Sequence, residues 1–451
     1  MKYALIRPIA TLTMGLTYLL SQFVDFAWLP YVVSFFSLLT VAAFLHYLKK
    51  VSLILFGSMI ILAVLLYLQS GNFEEMYLAL SANVAVLALF IFVPLLAIPI
   101  QAGRFLDYME SVFFHLIQTT QQLYGVVKLT IMSVGFVLNM GSIPIIYYLT
   151  DTTTYQPYQQ LRIKAIGRGV SLIFLWSPYF VSVALVISFF DVKWLHLSII
   201  GLLMCGLGII LGLFMEHRTK ERIEMPIDYS GPSLKVALKK ISLLMGIIIG
   251  MTIIIMTLVS ITGYSVLTII PIVAVVLFLV WTSFYLKPKE ILARFIDYTQ
   301  NRIPAMGNEL SLFIVAGVFG SAIMSIGADE WIIQLINTLG ISHVLLLLPL
   351  LFIIVNAFAF VGVHPIISVT ILGMTLSQSP LFLEDHFIIA AGLLGSWMVA
   401  ISSSPFSGVN LLMSSLTNSN PLIAGPKNNF LFAFTLWVIN YLILVGVYFV
   451  V

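Results

Sequence analysis

The chain has 451 residues, of which 61% are hydrophobic and 9% are charged, and its formal net charge is +3. A soluble domain carries about 25% charged residues, so this composition excludes an ordinary soluble protein. Apolar runs such as residues 241–259 are long enough to cross a bilayer as helices. The composition predicts an all-α polytopic membrane protein, embedded in a lipid bilayer.

Three function classes conflict with the distribution of polar residues. The basic residues lie in short connections without interleaved aromatic residues, so we expect no nucleic-acid partner. The longest polar connections, residues 216–240 and 287–308, are too short for a folded catalytic domain, and we expect no enzyme. The single cysteine, Cys205, lies in an apolar run and provides neither a disulfide nor a thiolate metal site.

The basic residues also predict an orientation, because Lys and Arg are retained on the cytoplasmic side. Lys2 and Arg7 precede the first apolar stretch, and no small-residue cleavage site follows it. We therefore expect a retained first helix, a cytoplasmic N-terminus and a location in the cell (inner) membrane. Residues 1–70 then form N-terminal scaffold helices.

A first repeat is predicted over residues 76–215. It begins with charged residues among apolar ones at 101–122, which is typical of an amphipathic helix at the membrane surface. The apolar stretch at about 128–160 has basic residues at both ends and a break at its centre, which predicts a re-entrant hairpin. Gly141 and Pro144 are expected to stop the helix at the tip. Residues 169–190 then form a transmembrane helix that Ser177 and Pro178 interrupt.

The second half repeats this order with opposite orientation. After a cytoplasmic linker at 216–240 and two scaffold helices at 241–286, a second repeat is predicted over 310–451. Its hairpin, at about 343–378, is flanked by acidic residues and therefore enters from the outer face. Its broken helix covers 387–415.

Two sequence motifs relate the halves to each other. Gly141 and Gly362 each begin the pattern Gly-x-x-Pro-Ile-Ile, and Ser177 and Ser404 each begin the pattern Ser-Pro-aromatic. The order and the approximate spacing of the motifs are the same in both halves. Inverted repeats with broken helices at matching positions indicate the binding site of a secondary transporter.

Polar and helix-breaking residues at these four breaks form the predicted site. Half-helix N-termini suit an anionic group, and carbonyls freed by the breaks suit a sodium ion at the hairpin tips. The alternative is that the serines only bond back to carbonyls of their own helices. The candidate substrate- and ion-binding residues are Asn139, Gly141, Ser142, Pro144, Ser177, Pro178, Ser182, Gly362, His364, Pro365, Ser368, Thr370, Ser403, Ser404, Pro405, Ser407 and Asn410.

Ionisable residues are rare in these segments. His364 is a candidate proton carrier or hydrogen-bond donor to an anion, and it could equally be a neutral residue of the hairpin tip. The core segments 130–150, 170–190, 344–377 and 388–415 contain no Asp or Glu. This argues against a sodium/proton exchanger, which needs a carboxylate to bind the cation.

The arrangement resembles the ion transporter superfamily, which includes divalent anion:sodium symporters and the large membrane subunits of tripartite transporters. The similarity is clearest at residues 310–337, and we identify the chain as a divergent member. By resemblance, 139–144 and 361–365 take the place of the sodium-binding Ser-Asn-Thr tips, although neither contains that sequence. The resemblance also implies a homodimer.

We therefore expect a secondary active transporter of a small, carboxylate-like anion. It would work by alternating access, coupled to protons or sodium and without any other cofactor. One alternative is a lipid-linked glycan flippase or another membrane lipid-handling protein. Another is the membrane subunit of a secondary transporter that depends on a soluble binding protein.

Overall fold

The computed structural model describes residues 2–217, 221–224, 231–327 and 330–450, apart from residues 332, 333, 335 and 337. Within these residues the regular structure is helical, and no β-strand occurs beyond an isolated bridge between Thr119 and Arg222. The prediction of an all-α protein is confirmed.

Ten helical stretches of the described residues are long and apolar enough to cross a membrane. The protein is therefore a multi-pass membrane protein. The ten stretches are Leu29–Tyr47, Ser52–Ser70, Phe73–Ala102, Thr120–Leu149, Trp194–Met215, Leu234–Thr262, Val266–Ser283, Gly307–Ser325, Pro380–Thr417 and Ile423–Tyr448.

The helices are numbered here in chain order. The first eleven are α1 (Lys2–Ser21), α2 (Leu29–Phe44), α3 (Lys50–Ser70), α4 (Phe73–Leu78), α5 (Val84–Phe92), α6 (Ala97–Ala102), α7 (Phe105–Leu116), α8 (Thr120–Leu138), α9 (Ser142–Leu149), α10 (Gln159–Ile173) and α11 (Val181–Phe190). The remaining eleven are α12 (Trp194–Met215), α13 (Leu234–Thr262), α14 (Val266–Ser283), α15 (Pro288–Asp297), α16 (Ile303–Ala305), α17 (Gly307–Ser325), α18 (Val344–Phe360), α19 (Pro365–Ser377), α20 (His386–Ser403), α21 (Gly408–Thr417) and α22 (Asn428–Tyr448).

The chain divides into two compact units. The first unit comprises Met1–Ile98, Ile255–Ser342 and Ile366–Leu383. The second unit comprises Pro99–Ile254, His343–Pro365 and Glu384–Val451. The boundary at residue 254 falls inside α13.

In the first unit, α3 and α17 pack through small residues. Ala63 and Tyr67 of α3 are buried in one cluster with Val318 and Ala322 of α17. The Nδ2 of Asn83, just before α5, donates to the Phe313 carbonyl on α17 at 3.0 Å. This bond satisfies a buried amide, as an apolar surrounding requires.

In the second unit, α8 and α10 run in the same direction. Gly169 lies against Ile131 and the Lys128 carbonyl, and further along both helices the side chain of Ile173 approaches Gly135. The absent Cβ at Gly169 would lie 2.3 Å from Ile131 Cγ2, so only glycine allows this close contact. Since α8 and α10 are parallel, the chain between them returns to the side from which α8 starts.

The second unit contains another parallel pair, α18 and α20. Gly392 lies against Leu348 near the beginning of both helices. The hydroxyl of Ser404 donates to the Ala359 carbonyl at 2.7 Å near their ends. The chain between α18 and α20 therefore also returns to the side from which α18 starts.

The segment α10–α11 runs opposite to the segment α20–α21 within the same unit. Gln159, at the start of α10, donates from Nε2 to the carbonyl of Thr417 at the end of α21, at 3.4 Å. Phe190, at the end of α11, contacts His386 at the start of α20, with ring centroids 5.3 Å apart. The two interrupted helices thus lie antiparallel.

Candidate functional site

The first tip, the turn between α8 and α9, depends on Asn139. Its φ of +54° ends α8, and a 3₁₀ turn over Asn139–Gly141 leads into α9. Ser142 donates its hydroxyl to the Asn139 carbonyl at 2.6 Å, and Gly135 makes room for Ser142 across the turn. The predicted role of Gly141 is wrong, because its φ of −62° is helical, whereas asparagine tolerates a positive φ. Pro144 does not stop a helix either, since it lies in the first turn of α9, where its missing N–H is not needed.

The second tip, the turn after α18, ends that helix with a Schellman motif. Gly362 has a φ of +97°, and Val363 donates its N–H to the Phe358 carbonyl at 2.9 Å. Pro365 is the first residue of α19, a position that suits proline. His364 lies directly before it and is half-buried.

The first break, between α10 and α11, contains Pro178 and is held by two serines. Ser177 donates to the Phe136 carbonyl near the end of α8 at 3.3 Å. Ser182 donates across the break to the Phe174 carbonyl at 2.8 Å. Both serines are fully buried, so these bonds satisfy one carbonyl in the last turn of α8 and one at the interruption after α10.

The second break, between α20 and α21, contains Pro405 and has a denser network. Ser404 donates to Ala359, as described above, and Ser407 donates to the Ile401 carbonyl at 2.8 Å. Asn410 donates from Nδ2 to the carbonyls of Ile401, Ser402 and Ser404, at 3.4, 3.0 and 2.8 Å. The amide nitrogen therefore lies among three carbonyls at the point where α20 is interrupted.

The second break touches both tips. The Cβ that Gly408 lacks would lie 2.8 Å from Met140 Cε at the first tip. Gly362 at the second tip faces the ring of Phe406. The first break contacts the end of α8 through Ser177 and through the stacked rings of Phe136 and Trp176.

The structure thus brings most of the predicted residues together in the second unit. Two of the predicted residues, Ser368 and Thr370, belong instead to the first unit. Both are buried, and within the described part of the chain neither hydroxyl has a hydrogen-bond partner.

Some buried polar atoms of the second unit have no hydrogen-bond partner among the described residues. The hydroxyls of Ser402 and Ser403, at the end of α20, have no hydrogen-bond partner among the described residues, and neither does Oδ1 of Asn356 on α18. A pocket of about 390 Å³ opens beside the second break. It is lined by Phe360, Pro405, Phe406, Leu411, Asn420, Pro421, Leu422 and Pro426.

The pattern-based prediction missed a buried cationic cluster, formed by Lys128 on α8, Arg168 on α10, Lys164 on α10 and Glu216 after α12. Lys128 is 0% exposed and Arg168 is 1% exposed. Arg168 pairs with Glu216 Oε1 at 3.0 Å, and Lys164 pairs with Glu216 Oε2 at 3.1 Å. Counting Lys128 and Arg168 as loop charges was wrong, because both lie within helices and are enclosed by neighbouring ones. The position of Lys128 within an otherwise apolar helix was the sequence feature that could have indicated this buried cluster.

The amine of Lys128 has neutral hydrogen-bond acceptors. Its Nζ lies 2.8 Å from the Gly208 carbonyl on α12 and 3.3 Å from the Tyr124 hydroxyl one turn earlier on α8. It also lies 4.7 Å from the centre of the Phe432 ring on α22. Gly212 completes the enclosure, since a Cβ there would approach Nζ to 2.8 Å.

Comparison with known proteins adds no assignment. No protein-family model matches the chain, and no curated protein matches it.

Proposed function

We propose that the protein is a secondary active transporter of a small anion, with its binding site at the breaks of the second unit. The observation that carries the proposal is a serine hydrogen bond that occurs once at each break. Ser177 and Ser404, each directly before the proline of a break, donate to a carbonyl near the end of the helix that precedes a tip. In each half of the unit, α8–α11 and α18–α21, the same kind of hydrogen bond thus joins the broken helix to the helix before the tip.

The directions of the helices support two re-entrant hairpins. In each half, the helix before the tip is parallel to the first part of the following broken helix. A single crossing between them would leave them antiparallel, so the returning chain fits a hairpin that enters and leaves on one side. Non-helical backbone at membrane depth is tolerated where protein encloses it or a water-filled cavity adjoins it.

The antiparallel arrangement of the two broken helices supports an inverted repeat. Repeats of this kind carry substrate at their interface near the bilayer midplane, and they expose it alternately to the two sides. The matched Gly-x-x-Pro-Ile-Ile and Ser-Pro-aromatic motifs lie at these tips and breaks, as the sequence pattern requires.

The charge of the second unit supports an anionic substrate. Lys128, Arg162 and Arg168 are all buried there, and Arg162 is paired with Asp151 at 3.1 Å. Lys128 has only neutral hydrogen-bond partners among the described residues. A positive charge in an apolar surrounding attracts an anion across distances that water would screen.

The second break supports protons over sodium as the coupling ion. A sodium site needs several oxygen ligands, and the three carbonyls at this break accept hydrogen bonds from Asn410. Coupling to protons needs no such cage. A homodimer, a location in the inner membrane and a cytoplasmic N-terminus complete the proposal.

The test is uptake by purified protein reconstituted in liposomes. Radiolabelled mono- and dicarboxylates, phosphate and sulfate are offered under an inward proton gradient, an inward sodium gradient or neither. We expect one class of anion to accumulate under the proton gradient and potassium to replace sodium without effect. Fluorescent lipid scrambling is measured in the same liposomes. No uptake of any anion, together with scrambling, would establish the lipid-handling alternative instead.

A further inference from the structure

We propose that Lys128 is the proton site of the transporter, so that its amine gains a proton when the anion enters and loses it when the anion leaves. This inference rests on the proposed function, which it deepens by naming the coupling group. It replaces His364, which the sequence offers as a candidate proton carrier.

The surroundings of Lys128 permit both protonation states. The Gly208 carbonyl accepts a hydrogen bond from a neutral amine as well as from an ammonium group. The Tyr124 hydroxyl can accept from either form and can also donate to the neutral amine. Gain or loss of the proton therefore breaks no ion pair.

Opposing charges act on this amine from the helices packed around it. From α10, the Arg168 guanidinium carries a like charge and shares the Tyr124 hydroxyl with this amine. From the end of α12, the Glu216 carboxylate carries the opposite charge, and the rings of Tyr124 and Phe432 face the amine. The titratable thiol of Cys205 also faces the amine from α12, and the nearest polar residues of α22, Asn428 and Asn429, are neutral and bind Arg168.

A polar route connects the amine with the surface. The Tyr124 hydroxyl lies 3.3 Å from Lys128 and 3.4 Å from Arg168, whose guanidinium contacts Glu216. Glu216 in turn contacts Lys164, whose side chain is 26% exposed. The amine is therefore joined to the aqueous side by a line of polar groups rather than by an apolar barrier, and the Arg168 guanidinium within this line stays charged and does not itself release a proton.

The internal symmetry indicates that the same helix arrangement can form without charges at the corresponding positions. Arg168 and Gly395 lie the same number of residues before Ser177 and Ser404, the serines of the two breaks. Lys128 and Pro349 lie the same number of residues before Gly141 and Gly362, the glycines of the two tips. At Gly395 the neighbouring space is filled by the neutral amide of Asn440. One half of the unit thus builds the same helix arrangement without charge, which leaves function as the reason for the amine.

The amine is close enough to sense an anion at the tip. Lys128 lies ten residues before Leu138, the last residue of α8, which corresponds to about 15 Å along the helix. At that distance in a weakly screening interior, a bound anion favours the ammonium form. Anion and proton then enter the transporter together.

The test compares the wild type with Lys128→Met in liposomes, with Lys193→Met as the control. Lys193 is an exposed lysine of the second unit that lies outside the polar route. Coupling to one proton gives about tenfold accumulation for a gradient of about one pH unit. We expect Lys128→Met to retain anion exchange without a gradient, within about threefold of the wild type, but to lose the accumulation. Lys193→Met should keep gradient-driven accumulation, and His364→Ala tests the competing proton site.

Gradient-driven accumulation by Lys128→Met, or its loss in His364→Ala alone, would overturn the inference and leave the transport function standing. A second measurement is independent of transport. Titrated in detergent across neutral pH, purified wild-type protein should bind about one more proton per chain than Lys128→Met, and Lys128→Gln serves if the first variant does not fold. Equal proton binding overturns the proton site, whereas absent anion uptake with unequal binding overturns only the proposed transport.

Discussion

The two halves of the second unit use the same backbone arrangement and different side chains. Both have a helix that ends at a tip, a parallel broken helix after it, and a serine that joins the two. Only the first half buries a lysine and an arginine along these helices, where the second has Pro349 and Gly395. The serines common to both halves satisfy backbone carbonyls, and the lysine and arginine found only in the first half provide the positive charge.

The two breaks also differ in how their carbonyls are satisfied. At the first break two serine hydroxyls each donate to one carbonyl, whereas at the second break the single side chain of Asn410 donates to three carbonyls, in addition to the serines there. The second break also contacts both tips and carries the buried hydroxyls of Ser402 and Ser403 that remain open to a ligand among the described residues. We infer that the second break is the centre of the site and that the first half supplies its electrostatic control.

The largest expected effect is at Arg168. Replacement by methionine leaves the Glu216 carboxylate buried with only Lys164 as its basic partner in the cluster, and we expect unfolding to become easier by about 3–5 kcal/mol. Lys164→Met, which removes the more exposed partner of the same carboxylate, should cost about 1 kcal/mol or less. Thermal unfolding in detergent measures both. Equal losses of stability would show that burial does not distinguish the two cations.

The next effect is at Asn410. Alanine there leaves the carbonyls of Ile401, Ser402 and Ser404 without their shared donor, and we expect a loss of about 2–3 kcal/mol. Ser182→Ala, which frees one carbonyl at the first break, should cost about 1 kcal/mol. Anion uptake should fall more for Asn410→Ala. If the variant instead acquires sodium-dependent uptake, the vacated carbonyls bind sodium, which would strengthen the interpretation that the amide replaces a cation.

Close backbone contact at the second break gives a third test. A Cβ at Gly425 would lie 2.9 Å from the Ser403 carbonyl oxygen and 2.8 Å from Asn410 Nδ2, so Gly425→Ala should destabilise by about 1–3 kcal/mol. At Gly141 a Cβ meets nothing within 4 Å and φ is helical, so Gly141→Ala should be neutral or slightly stabilising. A damaging effect at Gly141 and none at Gly425 would contradict the geometry of both sites.

The smallest effect compares the two matched serines. The Ser404 hydroxyl bond to Ala359 is 2.7 Å long, and the Ser177 bond to Phe136 is 3.3 Å long. We expect Ser404→Ala to cost about 1 kcal/mol and Ser177→Ala about half of that. Unfolding in detergent provides the measurement, with the exposed Ser133→Ala as control. A larger loss of stability for Ser177→Ala than for Ser404→Ala would indicate that the first break, and not the second, is the centre of the site.

Much of the fold follows from local properties of the sequence. Hydropathy predicted a helical multi-pass membrane protein, because a bilayer accepts few other structures for such a chain. Pro178 and Pro405 marked the interruptions correctly, since proline cannot donate the hydrogen bond that a helix interior requires. The Gly-x-x-Pro-Ile-Ile motif located both tips, although the residue that turns the first tip is Asn139 and not Gly141.

The sequence by itself therefore determined the class of the protein and the places where its helices break. The tertiary structure decided which polar residues are buried together. Burial of Lys128 and Arg168 depends on the packing of α8, α10, α12 and α22, and a basic residue within a helix has the same local pattern whether its side chain lies in solvent or is enclosed. The directions of α8 and α10, and of α18 and α20, are likewise set by contacts between segments far apart in the chain, which no local pattern encodes.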